Sequence, residues 1–362
     1  MSNARNLANL LGTGTQITTA DIADGAFQAN KNLVINGAMQ VAQRGTSFTC
    51  TNTNFITLDR YNVYEGAAGT TYTVTQDSDA PAGFSKSLKI VNSTAVSVTG
   101  EQYGGIGYAV EGYDNVSTGM GTSSAKDVTL SFWVKSSLTG TFGVTLRASG
   151  SSSANYVSSY TINSANTWEY KTVTYPATSL GTWNTTNGIG SDIVWSLGTG
   201  PTYSNTAGYW NTGSNKFALT GETKINGTAG ATFQITGVQL EVGSVATPFE
   251  HRSFGDELAK CQRYYTEATP QMVHAYSTTN VSGKLSYPVT MRATPTGTLK
   301  SGTAFVDPIA GASIFPSSIN TTVYEYGLND SLMISRNYSG LTANKPYWVV
   351  TTSMIFGMDA EL

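Results

Sequence analysis

Residues 231–250, ATFQITGVQLEVGSVATPFE, limit the fold more than any other stretch. Phe233 and Ile235 share one parity, while Val238, Leu240 and Val242 share the other. Successive side chains of a strand point to opposite faces, so one apolar face survives this change of phase only if an extra residue is inserted. Thr236-Gly237 marks the place, and a bulge at the glycine is the simplest insertion. The segment reads as one long, bent strand that closes a large β-domain and leaves it through Pro248.

From Asn32 onward the pattern is strand after strand. Leu33 and Ile35 open the domain ahead of the turn dipeptide Asn36-Gly37, and pairing them with the closing strand would bracket residues 32–242. Tyr72 alternates with Val74, and Leu88 with Ile90. Val128, Leu130, Phe132 and Val134 alternate with polar neighbours, and so do Phe142, Val144 and Leu146 after a short loop at Gly140. The spacing predicts an antiparallel hairpin there. Further strands are expected at 156–162, 168–175, 193–197 and 217–219. About eight to ten strands without a helical period predict an all-β, antiparallel two-sheet sandwich of jelly-roll type.

Four units follow: an arm at 1–30, the sandwich at 31–250, a linking helix at 251–266 and a β-domain at 267–362. The arm carries a short cluster, Leu7, Leu10 and Leu11, then isolated Ile17, Ile22 and Phe27. It cannot bury a core alone, so it either stays unfolded or orders against a partner or sister chains. In the linking helix Ser253 is the cap, and Phe254, Leu258, Cys261 and Tyr265 share a face. In the last unit strands are expected at 272–276, 284–291, 322–326, 331–335, 347–352 and 354–356, with a turn-rich loop at 300–320.

The 362 residues carry a net charge of −3 and are only 12% charged. That excludes a nucleic-acid footprint and suits a surface covered by copies or partners. No apolar run reaches the ~18 residues of a membrane helix, and no secretory signal opens the chain. Neither a nucleic-acid nor a membrane partner is expected, and assembly in a cytoplasm is. Cys50 and Cys261 are too few for a disulfide framework and read as buried free thiols.

Catalytic chemistry has little to work with. The histidines, His251 and His274, read as structural, and with the cysteines they lack the paired spacing of a metal site. Glu241 and Glu250 flank the exit of the closing strand but read as solvated or salt-bridged. No enzyme, cofactor or metal is expected. Sugar binding is more open. Residues 181–213 interleave Trp183, Trp195, Tyr203, Tyr209 and Trp210 with amides, hydroxyls and Asp192. Trp195 alternates with Ile193 and Leu197 and belongs to the core. Trp183, Tyr203, Tyr209, Trp210 and Asp192 are the glycan-binding candidates; for Trp183, Tyr209 and Trp210, core or intersubunit packing is the alternative.

Residues 235–265, ITGVQLEVGSVATPFEHRSFGDELAKCQRYY, resemble a segment of tail-fibre and tail-appendage proteins of tailed phages and prophages. NLVINGAMQVAQRG (32–45), LDRY (58–61), LSFWVKSS (130–137), the 206–210 spacing, VTMRATPT (289–296) and the final DAEL extend the likeness, and ITTADIADGAF resembles a virion-attachment arm. The resemblance implies a virion structural protein, assembled in the host cytoplasm and built as a homotrimer. Leu7, Leu10, Leu11, Ile17, Ile22 and Phe27 would dock it on other virion proteins. Its sandwich would be similar to carbohydrate-binding-module jelly rolls. The function implied is a tail fibre or receptor-binding appendage contacting host surface polysaccharide; the alternative is a capsid decoration or head-fibre protein. Where such jelly rolls carry a calcium-binding Asp near the bend, this chain has Thr236-Gly237, so no calcium site is expected.

Overall fold

A computed structural model describes residues 30–51, 55–66, 69–149, 154–270, 272–301, 305–306, 313–314, 316–327, 330–338, 341–349 and 355–362. The arm residues Leu7, Leu10, Leu11, Ile17, Ile22 and Phe27 lie outside them. Among the described residues, fifteen strands precede the linking helix: β1 (Ser47–Cys50), β2 (Phe55–Ile56), β3 (Tyr61–Gly66), β4 (Tyr72–Asp77), β5 (Ser87–Asn92), β6 (Tyr103–Glu111), β7 (Val128–Ser136), β8 (Gly140–Ala148), β9 (Asn155–Ile162), β10 (Glu169–Tyr175), β11 (Ile189–Thr199), β12 (Ser204–Asn205), β13 (Trp210–Asn211), β14 (Ala218–Leu219) and β15 (Thr232–Val242). Six form one sheet in the order β1-β4-β5-β15-β7-β10, and seven form the other, β13-β9-β8-β11-β6-β3-β2. Ladders within both sheets are antiparallel, and the chain passes repeatedly from one layer to the other, with β2-β3, β4-β5 and β8-β9 as hairpins within a layer, giving a jelly-roll sandwich.

The bulge lies at the predicted glycine. Thr236 faces Trp133 and Gln239 faces Ser131, so Gly237 and Val238 together oppose Phe132 alone. Gly237 takes φ +60°, a left-handed conformation that glycine adopts without strain. The inserted residue keeps Phe233, Ile235, Val238 and Leu240 in one fully buried row. It also takes Val238 out of the ladder with β7. The Val238 N–H donates instead to the Gly37 carbonyl at 2.9 Å, and the Val238 carbonyl accepts from Asn32 Nδ2 at 3.1 Å. Residues 32–36 thus lie beside β15 but are not the paired opening strand expected from sequence. Much of their hold comes from the Asn32 side chain, which also accepts from the Leu240 and Val34 N–H groups.

The hairpin expected at 128–147 is not formed. β7 pairs with β10 and β15, whereas β8 pairs with β9 and β11 in the opposite sheet. Residues 137–139 cross between the layers, and both apolar rows face one core from opposite sides. Alternation reveals which face of a strand is buried but not which strand lies beside it.

Helix α1 spans Phe254–Gln262, with the Ser253 hydroxyl accepting from the Asp256 N–H at 3.2 Å. It ends before the sequence expectation, because Tyr265 already begins a strand. Phe254 is exposed, and the buried contacts come from Cys261 and Tyr264, with Leu258 partly covered. Both cysteines are buried and neither forms a disulfide. Beyond the helix, β16 (Tyr265–Ala268), β17 (Met272–Ala275), β18 (Val281–Ser286), β19 (Thr296–Ser301), β20 (Phe305–Val306), β21 (Ser313–Ile314), β22 (Pro316–Gly327), β23 (Asp330–Tyr338), β24 (Lys345–Val349) and β25 (Ile355–Asp359) form two sheets. Their orders are β16-β25-β19 and β21-β20-β24-β17-β18-β23-β22. Strand β22 reaches into the span read from sequence as a turn-rich loop.

The last residues return to the sandwich. Glu361 forms an ion pair with Arg60, whose side chain is 1% exposed, and Arg60 also donates to the Ala109 carbonyl at 2.5 Å. The Arg60 guanidinium lies 3.5 Å from the centre of the Tyr264 ring. Burial opposes charge on Arg60, but Glu361 and the surrounding groups outweigh it and hold its pKa above the ordinary value. Arg263 grips Glu111 at 2.6 and 3.0 Å, and the Tyr264 hydroxyl donates to the same carboxylate at 2.6 Å. Arg44 pairs with Asp359 at 3.0 Å, and Arg292 donates to the carbonyls of Ala360 and Glu361.

Two substitutions test these features. Gly237→Ala forces a left-handed alanine whose Cβ meets Phe84 at 2.7 Å, and a loss of about 1–3 kcal/mol is expected in denaturant unfolding. Glu361→Ala leaves Arg60 buried without its carboxylate, and a loss of about 3–5 kcal/mol is expected. A melting temperature unchanged from the parent would contradict either account.

Candidate functional site

The outer face of the seven-stranded sheet is built around glycine. On β6, Gly105 and Gly107 point away from the core, while Ile106 and Tyr108 point into it. A Cβ on Gly107 would collide with the Tyr64 hydroxyl, and one on Gly105 would lie 3.6 Å from Tyr64 Cδ2. Bare backbone therefore lets the Tyr64 ring, from β3, lie across β6 toward β11. Gly66 does the same for Tyr103, whose ring occupies the space a side chain there would need.

A strap, residues 200–222, crosses this face after β11. It leaves through Gly200, whose N–H donates to the Gln102 carbonyl at 2.8 Å. It adds β13 to the edge of β9 and returns through β14, which runs parallel to β12. Phe217 and Ala218 bury Val194 beneath them, with Tyr64, Tyr103 and Tyr203 packed around. Glu222 fastens the end of the strap. It accepts from the Ser196 hydroxyl and, at 3.3 Å, from the Leu219 N–H.

Between strap and sheet lies a pocket of about 240 Å³ lined by Tyr64, Tyr103, Arg147, Tyr203, Asn215 and Phe217. Tyr203 stacks on Phe217 with ring centres 5.1 Å apart, and Tyr103 meets both edge-on at 5.6 and 5.4 Å. Arg147 donates through Nε to Asp192 at 2.7 Å and through a terminal nitrogen to Asn215 Oδ1 at 2.8 Å. Its guanidinium lies 5.3 Å from the centre of the Phe217 ring. Burial raises the pKa of Asp192, opposed by the Arg147 charge. Burial also works against the charge on Arg147, but Asp192 prevails and raises its pKa.

The structure places the sequence candidates in three settings. Tyr203 lines the pocket, and Asp192 sits beneath it holding Arg147. Trp183 is buried and donates to the Leu180 carbonyl at 2.9 Å; its ring meets Trp210 edge-on at 5.8 Å. Trp210 is partly covered, packs on Tyr156 and donates to the Pro176 carbonyl at 2.9 Å. Packing, one of the two readings left open, describes both tryptophans. Tyr209 is 48% exposed and donates to Asn205 Oδ1. Trp195 is fully buried in the core. Sequence reasoning missed Tyr64, Tyr103, Arg147, Asn215 and Phe217. The signal for Tyr64 was the glycine-rich strand YGGIGYAVE and that for Tyr103 was Gly66 at the end of β3, since glycines inside a strand mark a close approach.

The remaining polar candidates have structural partners. Glu241 is buried and accepts from Gln239 and from the Thr247 N–H and hydroxyl, which corrects the solvated or salt-bridged reading. Glu250 pairs with Arg252 at 3.2 Å. His251 packs between Phe84 and Phe249, and His274 is on β17. Among the described residues no three His, Cys, Asp or Glu side chains gather as a metal site.

No family model and no curated protein matches the chain. Solved structures of weakly similar shape include a protein of Bacteroides thetaiotaomicron provisionally designated sugar-binding, with a TM-score of 0.38 and 14% identity over 59% of this chain and 100% of that one. The enzymatically active domain of the bacteriophage CBA120 tailspike protein 4 gives a TM-score of 0.31 and 13% identity over 59% of this chain, which spans 22% of that chain. The tandem CBM22-1-CBM22-2 domain of Paenibacillus barcinonensis Xyn10C gives a TM-score of 0.30 and 10% identity over 93% of this chain and 100% of that one.

Burial raises the Glu222 carboxyl from an ordinary 4.5 to about 7, despite the hydrogen bonds it accepts. Its folded pKa exceeds its unfolded one, so its stabilising contribution is complete below pH 4.5 and is lost as the pH rises through about 7. The loss expected across that window is about 3 kcal/mol. Glu222→Gln should remove this part of the slope. Urea unfolding of both proteins at the two ends of the window checks it, and parallel pH profiles would contradict it.

Proposed function

We propose that this protein is a non-enzymatic structural appendage of a tailed-phage particle that contacts host surface glycan. The observation that carries the reading is the pocket at Tyr64, Tyr103, Arg147, Tyr203, Asn215 and Phe217. Aromatic faces stack against the C–H faces of sugar rings, and a few placed amide and guanidinium donors orient the hydroxyls. Hydrolysis of a glycosidic bond needs two carboxylates flanking it. Here Asp192, beneath the pocket, is tied to Arg147, and Glu222 is buried as the fastening of the strap.

The resemblance to tail appendages supports the virion part of the reading, and the structure gives its fragments a shared purpose. Asn36 and Arg44, Asp59 and Arg60, Glu257 and Tyr264, Arg292, and Asp359 and Glu361 all meet where α1 and the last residues join the sandwich. A buried ionic joint suits a part that must hold its shape within a larger assembly. In this reading residues 1–30 dock the protein on other virion proteins through Leu7, Leu10, Leu11, Ile17, Ile22 and Phe27, and three copies assemble.

Two measurements test the proposal. On an array of bacterial surface polysaccharides, the full chain is expected to be retained by at least one glycan. Tyr203→Ala should weaken that retention roughly tenfold; an array silent for the parent would remove the glycan role. Immunogold labelling of intact particles should mark the tail, whereas label on the head shell would replace the appendage with a capsid decoration.

A further inference from the structure

We infer that the pocket takes one uncharged pyranose ring at the end of a glycan, rather than an internal stretch of chain or an acidic sugar. This deepens the glycan-binding reading above and rests on it. Three features of the site lead there.

The first is size. At about 240 Å³ the space is smaller than the ~300–1,000 Å³ typical of sites for drug-sized ligands, and it suits a single ring. The second is closure. A bound polymer needs an open run along the sheet, but here the strap crosses the sheet and fills its middle. Phe217 and Ala218 seal Val194, and β13 continues the sheet past β9. A chain therefore has to enter end-on. Tyr64, laid across Gly105 and Gly107, forms the floor, and Tyr103, Tyr203 and Phe217 form an aromatic wall.

The third is charge. Arg147 is the cation among the lining residues, and its side chain is committed to Asp192 at 2.6 and 2.7 Å. The pair is neutral overall, so a carboxylated sugar would meet Asp192 as well as Arg147. What the pair still offers is hydrogen-bond donors. A guanidinium has five N–H groups, and those not used on Asp192, Asn215 and the Tyr64 hydroxyl remain for hydroxyl oxygens. Asn215 accepts from Arg147 through Oδ1, which leaves its amide N–H₂ to donate from an exposed loop position.

Calorimetric titration of the full chain tests this with four probes: methyl pyranosides of neutral hexoses, methyl N-acetylglucosaminide, methyl glucuronide, and a cyclic glucan that has no chain end. The expected result is binding of at least one neutral pyranoside, with no heat from the glucuronide or the cyclic glucan. Tyr64→Ala and Asn215→Ala should each weaken that binding roughly tenfold or more. Asn215 is exposed, so its variant removes a donor without opening the buried pair. Glucuronide binding tighter than any neutral pyranoside, binding of the cyclic glucan, or neutral binding unchanged in both variants would overturn the inference. If the array above is positive while these small probes fail, glycan binding stands and the end-on neutral site does not. If the array is silent too, both fall.

Discussion

Strand β15 has to carry one apolar face through a change of phase while lying between β5 and β7. The extra residue at Gly237 meets that requirement, and it leaves the backbone of Val238 without its ladder partners. A buried peptide group left unpaired costs free energy comparable to a lost hydrogen bond. The entering chain supplies what is missing, through the Gly37 carbonyl and the Asn32 amide. The approach is close enough that a side chain on Gly37 would strike the Val238 carbonyl. The same irregularity that keeps the core in register thus fixes where the domain begins.

From that anchor the joint follows. Docking residues 32–37 on β15 places the Asn36 N–H against Glu257 of α1 and the Asn36 amide against the Asp59 carbonyl. Asn36 itself takes φ +59°, a conformation asparagine tolerates better than most residues. Arg60 and Glu111 extend the network toward Glu361, Arg263 and Tyr264. Buried ions of this kind add little net stability over apolar packing, but they penalise any arrangement that breaks a pair. They therefore define one geometry at the junction of the sandwich, α1 and the last residues.

The pocket uses the opposite device, the absence of side chains. Gly105, Gly107 and Gly66 leave room for two tyrosines to lie along the sheet, and the strap fastened by Glu222 closes over them. Pocket and core stay separate: Ile106 and Tyr108 face inward from the same strand whose glycines face the tyrosines. Changes on the outer face therefore need not disturb the packing between the sheets.

The bulge, the Asn36-Gly37 turn, the Ser253 cap and the burial of Trp195 were legible in the sequence, because each depends on parity or on a contact within a few residues. The site was legible only in part. Tyr203 and Asp192 were singled out, but Tyr64, Tyr103, Arg147 and Phe217 come from separate strands and a loop that nothing local brings together. The same limit hid the sheet membership of β7 and β8, since alternation marks a buried face and says nothing about the neighbouring strand. The sequence by itself determined that these strands bury one face each and where the closing strand must kink, because side-chain period and backbone conformation are local properties. Only the tertiary structure decided which strands lie side by side, which rings share a pocket and which charges meet at the joint, because those follow from packing between residues far apart in the chain.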